Sequence, residues 1–122
     1  MQKMKDKKEL IKEYKMSPPK MGIFRITNKV NGKIYLIASK NLPATHNRFP
    51  FAFKDNNYFI RELQNDWNKY GDDAFVYDDL DVLEPGDDPK SDYTEELNTL
   101  LQLWLDKLQP YGDRGYHTKK QD

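Results

Sequence analysis

Residues 21–42, MGIFRITNKVNGKIYLIASKNL, decide the fold. Ile23, Arg25 and Thr27 alternate with Phe24, Ile26 and Asn28, the period-2 pattern of a strand. Asn31-Gly32 follows, a dipeptide suited to a type I′ turn, where both central residues take positive φ. Lys33-Ile34-Tyr35-Leu36-Ile37 is β-branched and aromatic and reads as the return strand. The stretch is therefore a β-hairpin.

Working outward, residues 3–16 (KMKDKKELIKEYKM) carry a short apolar stripe at Leu10, Ile11 and Tyr14 and predict a helix. Ser17-Pro18-Pro19 ends it, because a residue before proline avoids the α region. After the hairpin, Pro43 suits a first helical turn and Pro50 should end or kink any longer helix. The expectation for residues 39–54 is a short helical turn and an irregular, aromatic continuation. Residues 57–70 (NYFIRELQNDWNKY) predict a helix with Phe59, Ile60, Leu63 and Trp67 on one face and Gly71 at its C-terminus. Residues 74–83 alternate and predict a third strand. Residues 84–91 form a Pro/Gly/Asp loop, and Asp92 with Glu95 offers a capping box. Leu97, Leu100, Leu101, Trp104, Leu105 and Leu108 then make the apolar stripe of a last helix, which Pro110 follows. Residues 111–116 suggest an ordered turn. The fold class is α+β: a small three-stranded antiparallel sheet flanked by helices, with an extra N-terminal helix. Three parts result: a basic helix and Pro linker over 1–20, a domain over 21–117, and a tail over 118–122.

Gly22-Ile23-Phe24 and Tyr35-Leu36-Ile37, ten residues apart, resemble the paired tripeptides of the GIY-YIG endonuclease superfamily. The resemblance extends through Leu63-Gln64-Asn65-Asp66-Trp67-Asn68-Lys69-Tyr70-Gly71, Asp73-Ala74-Phe75, and Trp104 to Gly112 with Gly115-Tyr116. It covers most of the chain, and several blocks in the right order are more specific than the tripeptides alone.

The resemblance implies phosphodiester cleavage with one divalent metal, held by a Glu on the last helix. It also implies a Tyr of the first tripeptide activating water, an Arg on the phosphate and a second Tyr lining the site. Carried onto this chain, the set is incomplete. Phe24 replaces the first Tyr and Ile37 the last Gly. Tyr35 is retained, and serves equally well as a strand tyrosine with its ring on the core. Arg48 is the candidate phosphate Arg, with a solvated loop arginine as the rival reading. The metal ligand, three residues before the aromatic of the last helix, falls on Leu101, which cannot bind a hard cation. Neighbouring Gln102 is neutral and points roughly 100° away. His117 stands where a closing Asn belongs. Asp55, Glu62, Asp66 and Glu95 remain as alternative ligands.

Hydrophobic residues make up 37% of the 122-residue chain and charged residues 33%, at zero net charge, which fits one soluble domain. The absence of Cys excludes disulfides, thiolate metal sites and Cys nucleophiles. No apolar run spans a membrane, and the N-terminal lysines lack the apolar core of a secretory signal, so a cytoplasmic location is expected. Residues 1–54 carry a net +10 and residues 55–122 a net −10. The basic half suits phosphate contact, with Lys20, Arg25, Lys33, Lys40 and Arg48 as nucleic-acid candidates. The acidic run at Asp72, Asp73, Asp78, Asp79, Asp81, Glu84, Asp87 and Asp88 lacks calcium-loop spacing and reads as a solvated face or a protein-binding surface.

The leading expectation is a nucleic-acid-binding module with lost or weakened hydrolysis and no cofactor. The first rival is an active endonuclease with a displaced ligand, needing magnesium or manganese. The second is a protein-interaction or regulatory module of a mobile element, using the acidic half.

Overall fold

A computed structural model gives the architecture of residues 19–56, 58–84 and 92–118. The predicted helix over 3–16 and nearly all of the 84–91 loop lie outside those residues. The strands are β1 (Met21–Asn28), β2 (Ile34–Ser39) and β3 (Phe75–Leu83). The helices are α1 (Leu42–Lys54), α2 (Arg61–Tyr70) and α3 (Thr94–Leu108). The sheet is antiparallel in the order β2-β1-β3.

The hairpin forms with Phe24 opposite Ile37 and Ile26 opposite Tyr35. Its turn is not type I′, because of the last four loop residues only Gly32 takes positive φ. Asn28 closes the loop instead: its N–H donates to the Lys33 carbonyl and its carbonyl accepts from the Gly32 N–H. The Asn28 side-chain oxygen also accepts from the Val30 N–H. A loop two residues longer than the sequence suggests needs the left-handed region only at its last position, where glycine adopts it without strain.

Alternation sends Phe24, Ile26, Tyr35, Phe75 and Tyr77 to one face of the sheet. There Leu42, Phe49 and Phe53 of α1, Tyr58, Leu63 of α2 and Tyr116 complete the main core. Ile23 and Leu36 point to the other face and are buried outside that cluster, as is Leu97 of α3. The α3 helix packs against β2 and β1, and its Trp104 indole donates to Asp81 on that second face at 2.8 Å. The α3 helix therefore packs on the face opposite Phe24 and Tyr35.

The α1 helix runs unbroken through Pro50, contrary to the expectation of a short turn. A proline inside a helix costs about 3 kcal/mol. Burying Phe49 and Phe53 at about 1.5–3 kcal/mol each offsets that, and both are at most 5% exposed. Asn41 caps the helix by accepting the Ala44 N–H at 3.1 Å. The α2 helix starts at Arg61, four residues later than its apolar pattern suggests. Tyr58 turns into the core while Phe59 turns out, so Phe59 does not join the buried stripe. The intervening link is held by fully buried Gln64, which accepts the Tyr58 N–H and donates to the Phe53 carbonyl, both at 3.0 Å. At α3, Asp92 accepts from the Thr94 N–H and hydroxyl. Those contacts, with Lys40, lower its carboxyl to about 2.

Candidate functional site

Three of the candidate residues, Tyr35, Ile37 and Arg48, converge on a cleft beside the β2 edge. Tyr35, Ile37, Arg48, Phe49, Ala52, Tyr58 and Phe59 enclose about 330 Å³. A second hollow of about 250 Å³ adjoins it, running from Ile37 through Lys40 and Asn41 to Arg48. Ile37 and Arg48 line both, so they mark the junction.

Local sequence explains each placement. Arg48 sits on the exposed side of α1 while Leu42, Thr45, Phe49 and Phe53 face inward. Strand alternation aims Tyr35 at the core, where its ring meets Tyr58 edge-on at 6.4 Å. Burial raises the Tyr35 phenol above its ordinary range, and the neighbouring Tyr58 hydroxyl partly counters this. Burial also raises Tyr58, with Tyr35 adding to the effect and Arg48 opposing it. Both phenols are therefore neutral hydrogen-bonding groups near neutral pH, not bases.

Phe24 is fully buried. Its ring packs edge-on to His46 at 4.8 Å, against Phe49 at 5.4 Å and parallel to Tyr77 at 6.1 Å. It lines neither hollow, so the position that the resemblance assigns to water activation is interior hydrocarbon. Leu101 is half-buried on α3 and lines neither hollow. His117 is not a free ligand either. Its Nε2 accepts the Leu36 backbone N–H at 2.9 Å and its ring stacks on Tyr35 at 4.5 Å. That bond fixes the ring proton on Nδ1, and burial holds the imidazole pKa below its usual value.

The hard-cation requirement fails on donor chemistry. A magnesium-type ion takes carboxylate and other oxygen ligands, yet no Asp or Glu lines either hollow. Among the described residues, no group of three or more His, Asp or Glu side chains could hold a metal. The residues present do not fit the ion.

Sequence reasoning missed how the two charged halves fold against each other. The β3 aspartates are not a solvated face. Asp78 takes the Arg25 guanidinium at 3.0 and 2.6 Å, Asp79 lies 2.7 Å from His46 Nε2, and Asp81 holds Trp104. Asp66 accepts the Tyr116 hydroxyl at 2.7 Å. Lys33 pairs with Glu62, and Lys40 with Asp92 at 3.2 Å. Of the five nucleic-acid candidates, Arg25 and Lys33 are thus neutralised in place and Lys40 is engaged at the surface. Among the described residues, Lys20 and Arg48 have no carboxylate partner. Tyr58 is the site residue that sequence reasoning passed over. Its one signal is a position just ahead of a helix, inside an aromatic run.

No protein-family model matches the sequence, and no curated protein matches it. Solved structures do. The catalytic domain of homing endonuclease I-TevI superposes with a TM-score of 0.65 at 21% identity, over 82% of this chain and 99% of that one. A Glu-to-Ala mutant of the same catalytic domain gives a TM-score of 0.62 at 21% identity, over 74% and 84%. The chain has the GIY-YIG nuclease fold. Within that fold, β1 and β2 carry Phe24, Tyr35 and Ile37, the positions compared with the tripeptides in the sequence. Only Tyr35 and Ile37 of these reach the cleft. Among the described residues, no helix is long and apolar enough to cross a membrane.

Proposed function

We propose that this chain is a nucleic-acid-binding module on a GIY-YIG nuclease fold, with phosphodiester hydrolysis lost or severely weakened. The observation that carries the reading is the composition of the cleft. Arg48 and Lys40 line the two adjoining hollows, with neutral phenols beside them and no carboxylate. Such a lining attracts a phosphate chain through Arg48, and through Lys40 once it leaves its exposed partner Asp92. It lacks what cleavage needs, because charge neutralisation at the reacting phosphate is usually the largest catalytic contribution. Leu101 on α3 supplies no ligand, and Phe24 supplies no proton acceptor.

Sequence-tolerant, salt-sensitive binding follows from phosphate contacts of this kind. The test pairs fluorescence anisotropy on labelled DNA across a salt series with plasmid cleavage in magnesium and in manganese. Binding that weakens with salt, without nicking above a buffer control, supports the reading. Robust cleavage abolished by Arg48→Ala would replace it with an active endonuclease whose ligand lies elsewhere in the chain. Absence of binding at low ionic strength would favour a protein partner.

A further inference from the structure

The cleft has a second property that phosphate attraction does not explain: it is lined by aromatic rings and one of them is left outside. Phe59 lies on its rim and is 74% exposed, packed on Tyr58 at a ring separation of 4.9 Å. Phe51, three residues along α1 from Arg48, is 66% exposed with the Lys54 ammonium over its ring. Folding does not require either ring to face water, and Phe59, a large exposed aromatic on the rim of a cleft that holds Arg48, marks a recognition surface.

We propose that the cleft takes one unstacked base of a single-stranded nucleic acid, and that the strand's backbone runs over Arg48 into the adjoining hollow towards Lys40. The inference rests on the nucleic-acid reading above and names the ligand class for the same site. Three observations select this occupant. The hollow's volume of about 330 Å³ lies at the small end of ligand pockets, roughly 300–1,000 Å³, the size of a single nucleoside. Its floor is formed by the buried edges of Phe49 and Tyr58 and its rim by the exposed ring of Phe59, a π-face that accepts any base, with the Tyr35 and Tyr58 phenols beside it. Arg48 stands at the junction of both hollows, one residue's reach from base and phosphate alike. A base inside a duplex is stacked on both sides and enters only by flipping out, at the cost of its stacking and pairing. An unpaired strand, DNA or RNA, is therefore the favoured ligand. Lys40 meets the next phosphate by exchanging its exposed partner Asp92, a pairing of a kind that contributes little.

The experiment measures anisotropy of labelled oligo-dT, oligo-rU and a blunt DNA duplex of equal length against the full chain, the Phe59→Ala variant and the Arg48→Gln variant. Melting temperatures are recorded for each protein. The expected result is tighter binding of single strands than of duplex. Phe59→Ala should weaken single-strand binding roughly tenfold or more without lowering the melting temperature or moving duplex affinity. Arg48→Gln should reduce the magnitude of the salt slope on single strands by about 0.7. The oligo-dT and oligo-rU arms separate DNA from RNA as the natural strand. Equal affinity for duplex and single strand, insensitive to Phe59→Ala, overturns the inference and leaves the nucleic-acid reading intact. No binding to any oligonucleotide at low salt overturns both.

Discussion

Phe24 and Ile37 are direct partners across the β1–β2 ladder. The two side chains therefore share the same patch of sheet, and neither can be changed alone without disturbing the other. Phe24→Tyr would bury a hydroxyl among Phe49, His46 and Tyr77, at a cost of about 1–3 kcal/mol if it stays unpaired. Ile37→Gly opens the sheet beside it to the cleft and lets water reach that hydroxyl. A double-mutant cycle by urea unfolding should give a coupling energy of about 0.5–3 kcal/mol, the double variant being more stable than the two single losses predict. Additive losses would show that the ring at position 24 does not sense its cross-strand neighbour.

Leu101→Glu should lower the melting temperature without creating cleavage. The side chain is half-buried, so lost apolar contact and partial desolvation of a charge should together cost about 1–3 kcal/mol. Added magnesium should not recover the loss, because position 101 lines neither hollow and no carboxylate lines the cleft. Recovery of melting temperature by the ion in this variant would show that a metal site can be rebuilt from one residue.

His117 makes stability depend on pH in a definite direction. Its folded pKa lies below the ordinary imidazole value because the ring is buried. The unfolded chain then binds the proton first as pH falls. The contribution is fully present above about 6.5, the unfolded value, and is lost as pH drops through it towards the folded value. Protonation also turns Nε2 from acceptor to donor and breaks its bond to the Leu36 N–H. Thermal melts at pH 7.5 and 5 should differ less in His117→Phe than in the parent chain. An unchanged difference would place the acid sensitivity elsewhere.

The arginines should separate by role. Arg25 is held by Asp78 in a two-bond fork at 3.0 and 2.6 Å, whereas Arg48 has no carboxylate partner among the described residues. A double-mutant cycle on Arg25 and Asp78 should yield up to about 1 kcal/mol, shrinking with salt, since both side chains are about a third exposed. Arg25→Ala should leave the salt slope of nucleic-acid binding unchanged, and Arg48→Ala should flatten it.

Gly22→Ala should be among the most damaging single changes. A Cβ there would sit 2.0 Å from the Asp81 carbonyl oxygen on the neighbouring strand, where the β1–β3 register shifts between Ile23 and Phe24. The backbone cannot yield without breaking that ladder. A loss of more than about 2 kcal/mol in chemical denaturation is expected. A near-neutral variant would mean that β3 has room to move.

The elements that were legible in the sequence are those whose patterns are local. The alternation of residues 23–28, the leucine stripe of α3 and the stop at Gly71 each depend on spacing alone. What was not legible depends on partners distant in the chain. Pro50 looks like a breaker until Phe49 and Phe53 are seen buried. Gln64 looks like a surface residue until the loop it ties is known. The β3 aspartates read as a solvated run because their partners, at residues 25, 46 and 104, are far away in sequence. The site was half legible. Tyr35, Ile37 and Arg48 do meet, but Tyr58 and Phe59 join them only because α2 starts late.

The short segment after α3 returns alongside β2. Gly115 bridges Ile34 in parallel, the Tyr116 N–H donates to the Ile34 carbonyl, and His117 satisfies the Leu36 N–H. The outer side of β2 is thereby occupied by residues 115–117, and it offers little template for another strand. The sheet's other margin, β3, carries Asp78, Asp79 and Asp81 in its middle, and charged side chains discourage edge-to-edge pairing. A three-stranded sheet, which is small enough to recruit neighbours easily, is in this way closed on one margin by covalent continuity and guarded on the other by charge. Truncation before Gly115 should therefore show itself first as self-association, with unfolding following later.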